Sequence, residues 1–247
     1  MLLYYITDRR QFPGSAAEQR AALLQKVLES ARCGVDCIQL REKDLTAREL
    51  LELAKDVRNA ISGVATSRLE TRNSQLTTRL LINSGIDIAL ACGADGVHLR
   101  SDDISAADAR AVWMKATGHR PLATDHFTIA CSCHTASEVR RAQSDGADFV
   151  VFAPVFEKGG QRGVGLEALR AACRGLPESS APEASPAVTL PVLALGGVTL
   201  DNAQACLEAG AAGIAGIRLF QDNDVAEVIS RLRAVAGGAR AVPTGLG

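Results

Sequence analysis

The chain has 247 residues, 47% hydrophobic and 22% charged, with a formal net charge of -1. So balanced a surface offers no field for nucleic acid or an acidic membrane, and any cationic function must be local. The seven cysteines show neither a C-x-x-C pair nor His-rich spacing, which argues against a disulfide framework or a zinc site and for buried thiols in a reducing, cytoplasmic setting.

The opening MLLYYITDRRQF is too short an apolar run for a signal peptide or a membrane span, and LLYYIT at 2 to 7 reads as a first strand. AAEQRAALLQKVLESARCG follows with apolar residues at three- and four-residue steps, a helical period, and CIQL from Cys37 is a second strand. TARELLELAKDVRNAISG is again helical. The polar VATSRLETRNSQLTTR, near 63 to 79, is an added loop or helical turn. Further strands are LLIN at 80 to 83, GVHL, FTIACS at 127 to 132, FVVF, PVLALGG at 191 to 197 and GIAGI. LPESSAPEASPAVTL, near 176 to 190, reads as a surface loop, and a short tail spans 238 to 247.

A repeat organises these elements. GVDCIQL, GADGVHL, GADFVVF and GAAGIAGI each begin at a glycine suited to end a helix in the left-handed conformation, and each runs into an apolar strand. Their first glycines, Gly34, Gly93, Gly146 and Gly210, are 59, 53 and 64 residues apart. Each gap is twice the ~30 residues of one βα unit, so an unmarked unit lies between each marked pair. Eight alternating units predict a (β/α)8 TIM barrel, one α/β domain over 1–247, compatible with a homo-oligomer. The rival is an open doubly wound sheet, whose G-x-G-x-x-G opening is missing.

Side chains alternate along a strand, so Gln39, Arg41 and, if the strand extends that far, Lys43 share the face opposite Ile38 and Leu40. In a barrel they point into the C-terminal mouth, where two cations and an amide suit a polyanion such as pyrophosphate. The alternative is a solvated strand end with Arg41 paired to Glu42 or Asp44. Other strand ends deliver Asn83, Asp102 and Asp103, Ser132 and His134, and Lys158 to the same mouth. Gly196 and Gly197 precede a helix and can offer backbone N–H groups to a phosphate, with Arg218 after the eighth strand beside them. Each has a plainer reading: the Asp pair as a helix N-cap, His134 as structural, and His98 as a hydrogen-bonded barrel histidine.

YYITDR, QLREK, LLIN, GADGVHL, SCHT, GADFVVFAPVF, GLEAL and ALGGVT, in that order, resemble the thiamine phosphate synthase and thiazole tautomerase family over nearly the whole chain. The resemblance implies a transferase that joins hydroxymethylpyrimidine diphosphate to a thiazole phosphate with release of pyrophosphate. It implies Gln39, Arg41, Lys43 and Asn83 on the pyrimidine diphosphate, Asp103 on a magnesium ion (Mg2+) and Ser132 near the pyrimidine and pyrophosphate. Gly197 and Ile217 fall on the thiazole phosphate. Arg41, Lys43 and Ser132 are the expected catalytic side chains, and Lys158 and Arg218 are added as substrate contacts.

The chain departs from the family's usual pattern at four places. Ser84 stands where a second magnesium-binding Asp is usual, and Arg100 where a small Gly is. EKGGQRG replaces a threonine-rich phosphate loop, and Arg218 replaces a phosphate-binding Ser. Two alternatives remain open at this level: a tautomerase using His134 as acid and base, and a non-catalytic phosphate-binding barrel.

Overall fold

The computed structural model describes residues 1–69, 78–118, 127–157, 159–160, 162–174 and 189–239. Eight parallel strands close on themselves in chain order, β1 (Leu2–Ile6), β2 (Cys37–Leu40), β3 (Arg79–Asn83), β4 (Gly96–Leu99), β5 (Thr128–Cys133), β6 (Phe149–Phe152), β7 (Val192–Ala194) and β8 (Gly213–Gly216). Closure is made by β1 against β8, with Tyr4 opposite Ala215, and this overturns the open-sheet rival. Helices α1 (Ala16–Cys33), α2 (Ala47–Leu69), α3 (Ile86–Cys92), α4 (Ala106–Ala116), α5 (Ala136–Ser144), α6 (Gly165–Arg174) and α7 (Ala203–Glu208) alternate with the strands. A four-residue helix, α8 (Arg218–Gln221), then precedes the final α9 (Val225–Ala239).

The period-two pattern of each strand divides the apolar residues between two cores. Leu3, Tyr5, Ile38, Leu40, Leu80 and Ile82 face outward and are buried beneath the helices. Tyr4, Leu81, Ala130, Phe149, Val151 and Leu193 fill the barrel itself, with Tyr4 and Phe149 edge to face at 5.3 Å. A barrel filled in this way is solid at its centre, and polar chemistry is confined to its rims.

The repeated glycines do end helices. Gly34, Gly93, Gly146 and Gly210 all have φ between 66° and 107°, the left-handed region that costs a side chain but not glycine. The aspartates of the same repeat have a structural role. Asp36 accepts the backbone N–H of Leu3 at 2.7 Å while its own N–H bonds the Leu3 carbonyl. Asp95 does the same to Leu80 and Asp148 to Ile129, each at 2.7 Å. Arg58 pairs with Asp95 at 2.7 Å, Arg110 with Asp148 at 3.0 Å, and Arg233 approaches Asp36 at 4.0 Å. These carboxylates clasp strand pairs at the N-terminal rim, opposite the mouth. Ala212 takes the fourth position, where only the backbone bond to Val192 remains.

The polar stretch after residue 63 continues α2 to Leu69, and 70–77 lie outside the described residues, as do 175–188 and 240–247. All seven cysteines are free thiols. Burial pushes Cys37, Cys131, Cys133 and Cys206 up to about 12, so they pack as small apolar groups and carry no nucleophile at neutral pH. Among the described residues no helix is long and apolar enough to cross a membrane.

Candidate active site

Inward-facing residues at the C-terminal ends of β2 and β3 start a polar row. Gln39 Nε2 donates to Asn83 Oδ1 at 2.8 Å, Asn83 Nδ2 to Ser84 Oγ at 3.2 Å, and Ser84 Oγ to Asp103 Oδ2 at 2.6 Å. Ser84 is held at φ 58°, a left-handed conformation uncommon outside glycine, with its backbone N–H on the His98 carbonyl. The structure thus brings Gln39, Asn83 and Asp103 into one connected row through a residue expected only as a missing ligand. Gln39 Oε1 is buried and has no hydrogen-bond partner among the described residues. Asp102 and Asp103 are not the cap of the following helix, because Ser105 caps α4.

A second row crosses the floor of the mouth. Tyr4 Oη lies 3.0 Å from His98 Nδ1, and His98 Nε2 lies 2.8 Å from Ser132 Oγ. Burial raises the Tyr4 phenol well above its usual range, so it keeps its hydrogen, and the His98 tautomer that gives that hydrogen an acceptor is the one with Nδ1 unprotonated. The imidazole hydrogen is then on Nε2 and goes to Ser132 Oγ, which leaves the Ser132 hydroxyl hydrogen to point at a ligand. His98 is a barrel histidine, as expected, and it also orients an expected catalytic serine.

Burial first, and the charge of Arg41 second, lower His98 to about 3, with Asp103 acting in the opposite direction. The unfolded chain protonates this ring near 6.5 and the folded chain only near 3, so the extra proton binds the unfolded state in between. The stability tied to neutral His98 is present above pH 6.5 and is lost on acidification, at up to about 1.4 kcal/mol per pH unit. Urea titrations at pH 7 and 5 should show a flatter pH dependence in His98→Gln than in the wild type. Equal dependence in both would refute the assignment.

The cationic loop differs from its expected form. β2 stops at Leu40, so Lys43 stands on an exposed turn and is not delivered by strand alternation. Glu42 and Asp44 do not pair with Arg41. Both belong to Arg9, whose Nη1 lies 3.1 Å from Glu42 Oε2 and 2.7 Å from Asp44 Oδ1, while its Nη2 reaches Asp44 Oδ2 at 2.8 Å. Glu42 also accepts from the Thr7 hydroxyl at 2.6 Å and from the Arg9 backbone N–H, and Thr7 Oγ1 in turn accepts the Arg41 N–H at 3.0 Å. The acids that would have neutralised Arg41 are therefore used to fix its loop. Among the described residues neither Arg41 nor Lys43 has an acidic partner within ion-pair distance. Thr7 and Arg9 were missed from sequence, although TDR stands at a strand end like the other candidates.

Across the mouth, the loops after β7 and β8 line a cleft of about 450 Å³ that includes Gly196, Gly197, Ile217 and Arg218. A Cβ on Gly197, at φ 64°, would lie 2.7 Å from the Glu157 carbonyl oxygen and from Phe156 Cβ, so only glycine lets the loop after β7 pack against the loop after β6. Asn202 braces the turn by accepting from Thr199 N–H and donating to the Gly197 carbonyl. Arg231, from α9, adds a second cation that the sequence reading missed. Lys158 lies outside the described residues. His134 is on the rim, exposed, with Nδ1 held by the Ala153 carbonyl at 2.7 Å, and it does not join the His98–Ser132 row.

Residues 3–220 match the family model described as thiamine monophosphate synthase. The chain belongs to that family. A putative thiamine-phosphate synthase of Geobacter sulfurreducens is 39% identical over 218 residues, 86% of this chain and 83% of that one. The thiamine-phosphate synthase of Methanoculleus marisnigri is 32% identical over 244 residues, 97% of each chain. Among solved structures, thiamine phosphate pyrophosphorylase from Pyrococcus furiosus matches with a TM-score of 0.69 at 28% identity, covering 96% of both chains. A 3-hexulose-6-phosphate synthase, at 18% identity and a TM-score of 0.58, shares the fold alone. This member of the thiamine monophosphate synthase family is accordingly a transferase, and the tautomerase and non-catalytic readings are not favoured.

The magnesium ion that the family resemblance implies would fall on Asp103, and the donor set there does not fit one. Asp103 Oδ2 already accepts Ser84 O–H at 2.6 Å and Arg100 N–H at 2.7 Å, and Oδ1 faces the Arg100 guanidinium at 3.4 Å. A magnesium ion needs a near-octahedral set of oxygens at about 2.0–2.1 Å, and here a cation already occupies the approach.

Proposed function

We propose that the barrel mouth condenses 4-amino-2-methyl-5-hydroxymethylpyrimidine diphosphate with thiazole phosphate to give thiamine phosphate and pyrophosphate. The observation that carries this reading is the pairing of two anion sites across one mouth. One is the fixed loop of Arg41 and Lys43, and the other is the glycine-lined cleft with Arg218. A substrate phosphorylated at one end and a second bearing a diphosphate can each be anchored by their charge, with the reacting atoms held between them.

In the proposed reaction the bond from the pyrimidine methylene carbon to the pyrophosphate oxygen breaks, and its electron pair leaves with pyrophosphate. The lone pair of the thiazole ring nitrogen forms the new carbon–nitrogen bond, and that ring becomes a cation. No proton changes place, so no general base is required, and His134 has no task in the step. Arg41 and Lys43 stabilise the charge that develops on the leaving group, where preorganised donors act most strongly. Ser132, with its hydrogen directed outward by His98, donates to the same region. Gln39 Oε1, buried without a partner, accepts the exocyclic amino group of the pyrimidine. Gly197 and Ile217, with Arg218, hold the thiazole phosphate. Seven free thiols suit a cytoplasmic setting for this chemistry.

The test is an assay of the purified protein with both substrates, with and without magnesium, following thiamine phosphate and pyrophosphate together. Equal amounts of the two products are expected. Neither product under either condition would overturn the reading and lead to a thiazole tautomerase assay with His134→Ala as control.

A further inference from the structure

We infer that the Arg100 guanidinium takes the place of a divalent cation at Asp103 and serves as the third cation of the pyrophosphate site. The inference rests on the synthase reading above. Arg100 is anchored at both ends of its chain, by its backbone N–H on Asp103 Oδ2 at 2.7 Å and by Nε at 3.4 Å from Oδ1. Its Nη2 lies 3.1 Å from Asp102, a carboxylate 71% exposed and so largely screened by water. Asp103, by contrast, is 15% exposed on its side chain while Arg100 is 50% exposed, so the carboxylate forms the floor and the guanidinium the accessible face.

Charge balance supports the exchange. Two carboxylates and a divalent ion sum to zero, and so do one carboxylate and one guanidinium. This chain has Ser84 rather than a second acid beside Asp103, and the Ser84 hydroxyl donates to Asp103 where a carboxylate would repel it. The left-handed backbone of Ser84 aims that hydroxyl at Asp103. Arg100 is also placed with the other site groups: the hydrogen-bonded row from Gln39 through Asn83 and Ser84 reaches Asp103, and Arg100, Asp103 and Ser132 line one cavity. A guanidinium keeps donors free after pairing and can offer two parallel N–H groups to phosphate oxygens, which makes it a competent counter-charge without a metal.

The deciding experiment uses the full chain and its Arg100→Gly and Arg100→Lys variants, each in EDTA and in magnesium. Thiamine phosphate formation and, separately, calorimetric binding of pyrophosphate are measured. The wild type should form product in EDTA at a rate within roughly twofold of that in magnesium. Arg100→Gly should lose pyrophosphate affinity in EDTA on the order of tenfold or more, and magnesium should restore part of it through the freed Asp103. Arg100→Lys should retain more affinity than Arg100→Gly in EDTA. Wild-type product formed only with magnesium would overturn the inference while leaving the synthase reading intact. So would an Arg100→Gly variant that binds pyrophosphate in EDTA as the wild type does. Absence of thiamine phosphate under every condition would instead overturn the synthase reading, with the binding data still deciding whether Arg100 holds pyrophosphate.

Discussion

Arg9→Ala is expected to cost about 3–5 kcal/mol of stability at neutral pH, because it leaves the Glu42 carboxylate buried without its counter-charge. The Glu42 side chain is 1% exposed, and only the Thr7 hydroxyl and a backbone N–H would remain on it. The loss has a signature in pH. Burial already holds Glu42 above its ordinary value of 4.5, with the Thr7 and Arg9 bonds opposing, and removing Arg9 raises it further. A folded state that binds the proton more tightly than the unfolded one loses stability as pH rises through that interval. Arg9→Ala should therefore be weakest at neutral and alkaline pH and recover on acidification towards 4.5, the reverse of the His98 effect. Urea unfolding between pH 5 and 8 measures this. Adding Glu42→Gln to Arg9→Ala should recover much of the loss, whereas a double variant no more stable than Arg9→Ala would mean that Glu42 is not the damaged partner.

Arg41→Ala should leave stability nearly unchanged and lower kcat by about 10²–10³-fold, the usual result of removing one donor from a developing oxyanion. Its backbone N–H, which alteration of the side chain preserves, makes the bond to Thr7. Arg41→Lys should recover activity only in part, since an ammonium cannot grip two oxygens in parallel. The same variant tests the electrostatics of the floor. Arg41 lowers His98, so its removal should let His98 take up a proton at a higher pH. Steady-state kinetics and the NMR titration of the His98 ring read the two effects, and a kcat within about twofold of the wild type would remove Arg41 from the leaving-group site.

The fold was legible because its signals are local. A glycine ending a helix and a short alternating strand after it lie within a few residues of each other, and their recurrence along the chain counts the units without knowledge of contacts. Inward placement of Gln39 followed from strand parity, which holds while the strand lasts, and Asn83 and Ser132 were picked out by their places at strand ends. Parity failed for Lys43 because β2 stops at Leu40. Pairings over distance were illegible: Glu42 and Asp44 looked like neighbours for Arg41, and their actual partner is Arg9, on a different strand end. The repeated Asp of GVD and GAD was visible as a pattern, but its purpose required knowing which backbone it faces. Ser84 looked like a lost ligand, and only its hydroxyl on Asp103, with Arg100 alongside, gives the departure a sense.

The carboxylate clasps join β1 to β2, β3 to β4, and β5 to β6, whereas β7 and β8 meet through backbone bonds at the same level. The barrel is thus assembled from doublets, three riveted and one plain. The plain doublet carries the loops that form the glycine-lined cleft. A phosphorylated molecule seated there rests on strands that only backbone bonds join at the far rim, while the doublets beneath the Arg41 loop and the His98 row carry an aspartate clasp as well. One ring thus has two kinds of seam at its far rim, with an aspartate at three junctions and an alanine at the fourth.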